Sequence, residues 1–293
     1  MSLLPACACR LLSALCCCLA VASVPALAAP PARAVASSAN PAPRDIVSDL
    51  GAAGRLRMQA QRVAKLYLQN GLAINAARSR QQLAAALRQG DTDIDDLTRR
   101  LREPRAQKAL LRVGEHWREL KVALAQSWSV DAVQRVNALA ESQSIAAGRL
   151  SLLIEENATT PSARLLDLAL RQSMLAQRLA RLYLLAQAGD NSRGRLVDIE
   201  QTRREFVTSL AELASAPENT AATREALALM QVQWLFLDQA VVDLLRGGRG
   251  NPQHVATTSE RLSEVLDAVA ASLSDSLQPN SALPLPAASL SRV

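Results

Sequence analysis

The sequence predicts an all-α protein arranged as two tandem antiparallel four-helix bundles. Three observations carry that expectation. Ala, Leu, Arg, Gln and Glu dominate the chain, while aromatic residues make up only 2% of it, too few for a large sheet. All of the 13 Pro but Pro104 lie outside the long periodic stretches, where with several of the 11 Gly they punctuate helices. A fourteen-residue motif also occurs twice, and each occurrence opens a run long enough for four helices.

The 293-residue chain begins with a segment, residues 1–28, that reads as a secretory signal. Arg10 is the only charge before Arg33, an apolar run follows from Leu11 to Val24, and Ala26-Leu27-Ala28 supplies the small-x-small pattern. The run is short for a membrane span, which needs about 20 apolar residues. The expected location is therefore the periplasm, with an uncleaved N-terminal anchor as the alternative. All five cysteines (Cys7, Cys9, Cys16, Cys17, Cys18) lie inside this segment. The exported part would then hold no thiol, disulfide or cysteine metal site, and its stability must come from an apolar core. Residues 29–43 and 279–293 are rich in Ala, Pro and Ser and read as a tether and a tail.

Between them the motif recurs. Residues 55–68 read RLRMQAQRVAKLYL and residues 171–184 read RQSMLAQRLARLYL, nine of fourteen identical at a constant offset of 116. Further blocks follow in the same order. Ile74, Arg80, Leu83 and Leu87 correspond to Val197, Arg203, Phe206 and Leu210. Ala109, Leu110 and Trp117 correspond to Ala226, Leu227 and Trp234, and Leu139 and Glu141 to Leu262 and Glu264. Four ordered blocks point to duplication, with units at 44–158 and 159–278.

Breaker signals divide each unit. Helices are expected at 45–70, 73–89, 93–127 and 130–157, separated at Asn70-Gly71, Gly90-Asp91 and Ser127 to Ser129, with Pro104 kinking the third. In the second unit they are expected at 162–188, 194–215, 219–246 and 253–276. The breaks there are Gly189-Asp190-Asn191, Pro217 and Gly247 to Pro252, with Thr160-Pro161 as cap and first turn.

The motif helix has two faces. Ala53, Leu56, Ala60, Val63 and Tyr67 share a sector of about 80°, the seam toward the helix's own bundle. Ala169, Gln172, Ala176, Leu179 and Tyr183 repeat it. On the other side stand Met58, Arg62 and Leu66 with Gln61, repeated as Met174, Arg178, Leu182 and Gln177. A solvated face has no need of the same Met, Arg and Gln twice. The expectation is that the two motif helices face each other, or face a second chain, with each arginine held for a counter-charge.

The run AGRLRMQAQRVAKLYL (Ala53 to Leu68) resembles the N-terminal sensor domain shared by nitrate sensor kinases of the NarX type and pilus chemotaxis transducers of the PilJ type. The resemblance rests on Ala53-Gly54, Arg57-Met58 and Gln61-Arg62, and the Trp-bearing third helix fits it. It implies a pair of signature helices whose arginines hold one nitrate or nitrite between them, with Arg57, Arg62 and Arg178 as ligand residues and Met58, Gln61, Met174 and Gln177 in support. The second unit departs from the pattern, with Ser173 where Arg57 aligns and Ala169-Leu170 in place of Ala-Gly. Nitrate is a planar, weakly hydrated oxyanion that guanidinium groups match with paired donors. Arg57 and Arg62 are about 140° apart on their helix, so they converge only where a partner helix encloses them.

Other chemistries find little in the sequence. There are two histidines, His116 and His254, on different expected helices, and no ligand cluster with metal spacing. Asp91, Asp93, Asp95 and Asp96 read as charge at a helix N-terminus. Residues 44–158 carry 18 Lys+Arg against 13 Asp+Glu, net +5; residues 159–278 carry 12 against 14, net −2. The bases are scattered among acids, which does not suit nucleic acid. The sequence thus predicts no enzyme and no cofactor. It predicts an exported binder of a small oxyanion, nitrate or nitrite first, that relays to a membrane-bound signalling partner and is either a monomer with an internal pseudo-dimer or a homodimer. The alternative is a helical protein–protein interaction module of a pilus or chemotaxis system with no small ligand.

Overall fold

A computed structural model describes residues 43–158, 161–248 and 250–276. The expected leader, most of the tether, and the tail lie outside these residues. The described residues form eight α-helices and no strand: α1 (Pro43–Gly71), α2 (Ala76–Arg100), α3 (Pro104–Leu124), α4 (Val130–Glu155), α5 (Pro161–Gln187), α6 (Arg193–Ser215), α7 (Ala221–Leu245) and α8 (Pro252–Ser276). None of them is long and apolar enough to cross a membrane.

Local chemistry sets the ends. Ser129, Ser192 and Thr220 each accept a backbone N–H three residues on, capping α4, α6 and α7. Gly189 and Gly247, both at positive φ, close the turns after α5 and α7. One expected break is absent. Helix α2 continues through Gly90-Asp91 to Arg100, and the chain turns instead at Leu101 to Glu103, before Pro104. Two interactions explain this. Gly90 lies under the Trp117 ring, where an added Cβ would come within 2.2 Å of Cζ2, and Asp91 accepts from Trp117 Nε1 at 2.9 Å. Pro104 does not kink α3 but starts it, with the Glu103 carboxylate capping Arg105 and Ala106 N–H. The four aspartates therefore belong to the second half of α2 and not to a helix start. Asp93, buried, is gripped by Arg55, and Asp91 also holds Lys121.

Helices α1–α4 and α5–α8 make two similar sets. In the first, α1 lies between α2 and α4, and α4 carries α3; in the second, α5 lies between α6 and α8, and α8 carries α7. The two sets are joined by α1 against α5, the most extensive helix pair in the structure. The cores cross this seam: Ala163, Leu166 and Leu170 of α5 pack with Leu50, Leu56 and Leu150, while Met58 and Leu68 of α1 pack with Met174 and Leu182. Each motif helix is consequently buried on both faces, which most amphipathic helices are not.

The two helices run the same way. Gly54 meets Leu170 early in both, and Gln61 meets Arg181 later. Gly54 and Leu170 occupy the same position of the repeated motif, so the departure noted in the sequence is a complementary fit: the isobutyl group of one fills the space left by the missing Cβ of the other. A Cβ on Gly54 would lie 2.7 Å from Leu170 Cβ, which no rotamer change relieves. Gly54→Ala is therefore expected to destabilise the fold by about 1–3 kcal/mol through overpacking. Gly51→Ala, whose Cβ meets only the flexible end of Arg55, should instead gain up to about 1 kcal/mol in helix propensity. Urea denaturation of the two variants side by side measures both.

Candidate functional site

The seam between α1 and α5 buries more than apolar side chains. Gln61, Lys65, Gln177 and Arg181 all lie at 0% exposure. A fully buried charge is tolerated only when paired and hydrogen-bonded, and each motif helix finds its carboxylate on the fourth helix of the other set.

On one side Glu260 of α8 collects the bases of α1. Arg62 Nε approaches Oε1 and Oε2 at 3.1 and 3.2 Å, Arg62 Nη2 donates to Oε2 at 2.5 Å, and Lys65 Nζ donates to Oε1 at 2.5 Å. Gln82 Nε2 of α2 adds a bond at 3.0 Å, and Lys65 also donates to Ser259 Oγ at 3.1 Å. Burial by itself would raise the Glu260 carboxyl, but the Lys65 ammonium and the Arg62 guanidinium outweigh it and hold the group down at about 2. Burial lowers Lys65 despite the attraction of Glu260. A crevice of about 120 Å³, bordered by Gln69, Asn75, Arg78 and Arg261, opens onto Glu260.

On the other side Glu141 of α4 collects the bases of α5. Arg178 Nε donates to Oε1 at 3.0 Å, Arg181 Nη2 donates to the same oxygen, and Arg178 Nη1 donates to Thr202 Oγ1 at 2.6 Å. Arg181 Nε donates to Gln61 Oε1 of α1 at 2.8 Å. Burial lowers Arg181 to about 10 against the pull of Glu141. Burial would raise Glu141, but Arg181 and Arg178 bring it below its ordinary value. Two buried nitrogens here have no acceptor: Arg181 Nη1 and Gln61 Nε2 find no hydrogen-bond partner among the described residues.

Arg57 stands apart from both clusters. It lies under Gly148 of α4 and donates from Nη2 to Asp167 of α5, to the carboxylate at 3.1 Å and the carbonyl at 3.3 Å. Burial lowers it despite Asp167. The three arginines singled out in the sequence thus meet three different carboxylates, Asp167, Glu260 and Glu141, and share no common point. Ser173, at the place of Arg57 in the second motif, bonds to Ser263 Oγ at 3.1 Å. Met58 and Met174 are packed in the seam, and Gln177 Nε2 donates to Ser259 O and Ser263 Oγ at 3.0 and 2.8 Å.

Sequence reasoning missed Lys65 and Arg181, the most deeply buried bases, and the acids Glu141, Asp167 and Glu260 as partners. A signal for the first two was present. Lys65 and Arg181 are equivalent in the repeat, and Lys65 falls between Met58 and Gln61 on the helical wheel. The acids gave no such signal, because Glu141 and Glu260 do not correspond. The counterpart of Glu141 is Glu264, and that of Glu260 is Asn137, so the two clusters are offset by one helical turn. Among the described residues no group of three or more His, Cys, Asp or Glu could hold a metal ion.

Residues 48–148, from α1 into α4, match the family model described as PilJ, the N-terminal region of type IV pili methyl-accepting chemotaxis transducers. That part of the chain is therefore similar to a sensor-type domain of a signalling, non-enzymatic family. The match covers α1 to α3 and most of α4, and it does not extend to α5–α8. Neither the curated proteins nor the solved structures yield a match.

Glu260 is expected to be the principal acid-sensitive element of the seam. Its carboxyl sits below its ordinary value of 4.5, so its stabilisation is whole above that pH and fades as pH falls toward 2. Glu260→Gln should cost about 3–5 kcal/mol at neutral pH by leaving Lys65 buried without its counter-ion. The variant should also show a flatter decline in stability between pH 4.5 and 2. Equilibrium denaturation across that pH range reads both effects.

Proposed function

We propose that this chain is an exported sensor-type module that receives a small planar oxyanion, nitrate or nitrite first, in the seam between α1 and α5. It would pass the ligand-bound state to a membrane-bound signalling partner. The observation that carries this reading is the Arg178–Glu141–Arg181 cluster. Two guanidinium groups share one carboxylate, and Arg181 Nη1 and Gln61 Nε2 are buried donors without a partner. Each unmet buried donor costs on the order of 1–3 kcal/mol. An oxyanion with several acceptor oxygens would satisfy both and balance the second positive charge. Because the seam joins the two helix sets, occupancy there bears directly on how they pack, which is the kind of coupling a sensor requires.

The similarity of residues 48–148 to a transducer N-terminal region supports a role in signal reception. The N-terminal signal read in the sequence supports export to the periplasm. One observation favours the interaction-module reading: Arg57, Arg62 and Arg178 each already hold a carboxylate of the same chain. That reading needs no small ligand.

Thermal denaturation and calorimetry of residues 29–293 with nitrate, nitrite, sulfate and chloride separate the two. At 100 times its dissociation constant a ligand should stabilise the fold by about 2.7 kcal/mol. The sensor reading expects a selective response to nitrate or nitrite that disappears in Arg178→Ala and in Gln61→Leu, which removes the Nε2 donor, and with it the acceptor of Arg181 Nε, at similar packing volume. Indifference to all four anions would overturn it in favour of the interaction module.

A further inference from the structure

We propose that the outward face of α7 is a self-association surface, through which two copies of this chain pair with their α7 helices antiparallel. Leu229, Val232, Leu235 and Phe236 are 52%, 49%, 65% and 51% exposed, and they fall within a sector of about 120° on the helix. Single exposed apolar residues are ordinary, whereas a contiguous stripe of large ones marks a contact.

The repeat supplies an internal control. With Leu110 and Trp117 aligned to Leu227 and Trp234, the four positions correspond to Arg112, Glu115, Arg118 and Glu119 on α3, all exposed. Both helices bury the same face, α3 through Leu110, Val113 and Trp117 and α7 through Leu227, Met230 and Trp234. At these four positions the solvent-facing side is charged in α3 and apolar in α7. Packing within the chain does not require that difference, since the α3 version of the face satisfies an equivalent fold.

Charge identifies the occupant. From Ala228 to Phe236 the exposed side of α7 carries no charge, as a self-contact requires, because a two-fold interface sets like residues near each other. Charges return before the stripe at Arg224 and Glu225 and after it at Asp238, Asp243 and Arg246, Asp238 being held by Arg203 of α6. The midpoint between Glu225 and Arg246 falls at the Leu235–Phe236 step. An antiparallel pair centred there sets each Glu225 against the Arg246 of the other copy, twice. A lipid surface fits less well, because interfacial helices line their polar margin with Lys and Arg. The motif helices offer a second copy nothing, since α1 and α5 already cover each other.

Sedimentation velocity of the full chain across a concentration series tests this. A reversible monomer–dimer equilibrium is expected. Leu235→Glu should weaken it at least tenfold without changing the circular-dichroism melt, because the side chain is exposed in the monomer. Glu225→Arg and Arg246→Glu should each weaken the dimer, and the two together should restore it. Three results would overturn the proposal: a chain monomeric throughout the micromolar range, a dimer indifferent to Leu235→Glu, or co-sedimentation with phosphatidylglycerol-containing vesicles that Leu235→Glu abolishes.

Discussion

Burying a lysine and an arginine completely between two helices is the constraint from which the rest of this architecture follows. Lys65 and Arg181 could not sit at 0% exposure without carboxylates in hydrogen-bond reach. Those carboxylates come crosswise, Glu260 to the bases of α1 and Glu141 to the bases of α5. Crosswise pairing makes each helix set incomplete alone: α1 without α8 would leave a buried ammonium unpaired, and α5 without α4 a buried guanidinium. The apolar clusters obey the same logic, with Leu166 and Leu170 of α5 lodged in the core of the first set. Electrostatics and packing thus both hold α1 against α5, and two of the apolar clusters draw residues from both sets.

Within that frame the two sets are alike in plan and unlike in detail. Gly54 faces Leu170, so the seam is filled by one large residue and one absent Cβ where strict symmetry would need two of the same size. Arg57 has Ser173 as its counterpart. Glu260 has Asn137, and the acid that serves the second cluster stands one helical turn away on α4. Four charged exposed positions on α3 have apolar counterparts on α7. Inequivalence occurs both at buried seam positions, such as Gly54 and Leu170, and on the exposed face of α7.

How much of the site was legible follows from what repetition can reveal. Met58, Arg62 and Gln61 stood out because they recur at Met174, Arg178 and Gln177, and all six lie in or beside the seam. Their acids could not be found that way, because Glu260 stands 198 residues beyond Arg62, Glu141 stands 37 residues before Arg178, and the two acids occupy different helical turns. The α2–α3 break was misplaced for a related reason. Gly90-Asp91 has the composition of a turn, yet Trp117 needs the glycine for space and the aspartate for its indole N–H, so a contact from another helix overrode the local signal.

The sequence by itself determined the all-α class, the positions of most helix ends, and the presence of a helix with two faces to bury. Those properties depend on neighbours one to four residues apart, through propensity, capping and the helical period. Only the tertiary structure decided that α1 and α5 run side by side, that each base meets a carboxylate from the other set, and that α7 turns an uncharged apolar face to solvent. Those properties depend on which helices become neighbours, and pairing across more than 100 residues is settled by the summed fit of both cores and both ion clusters.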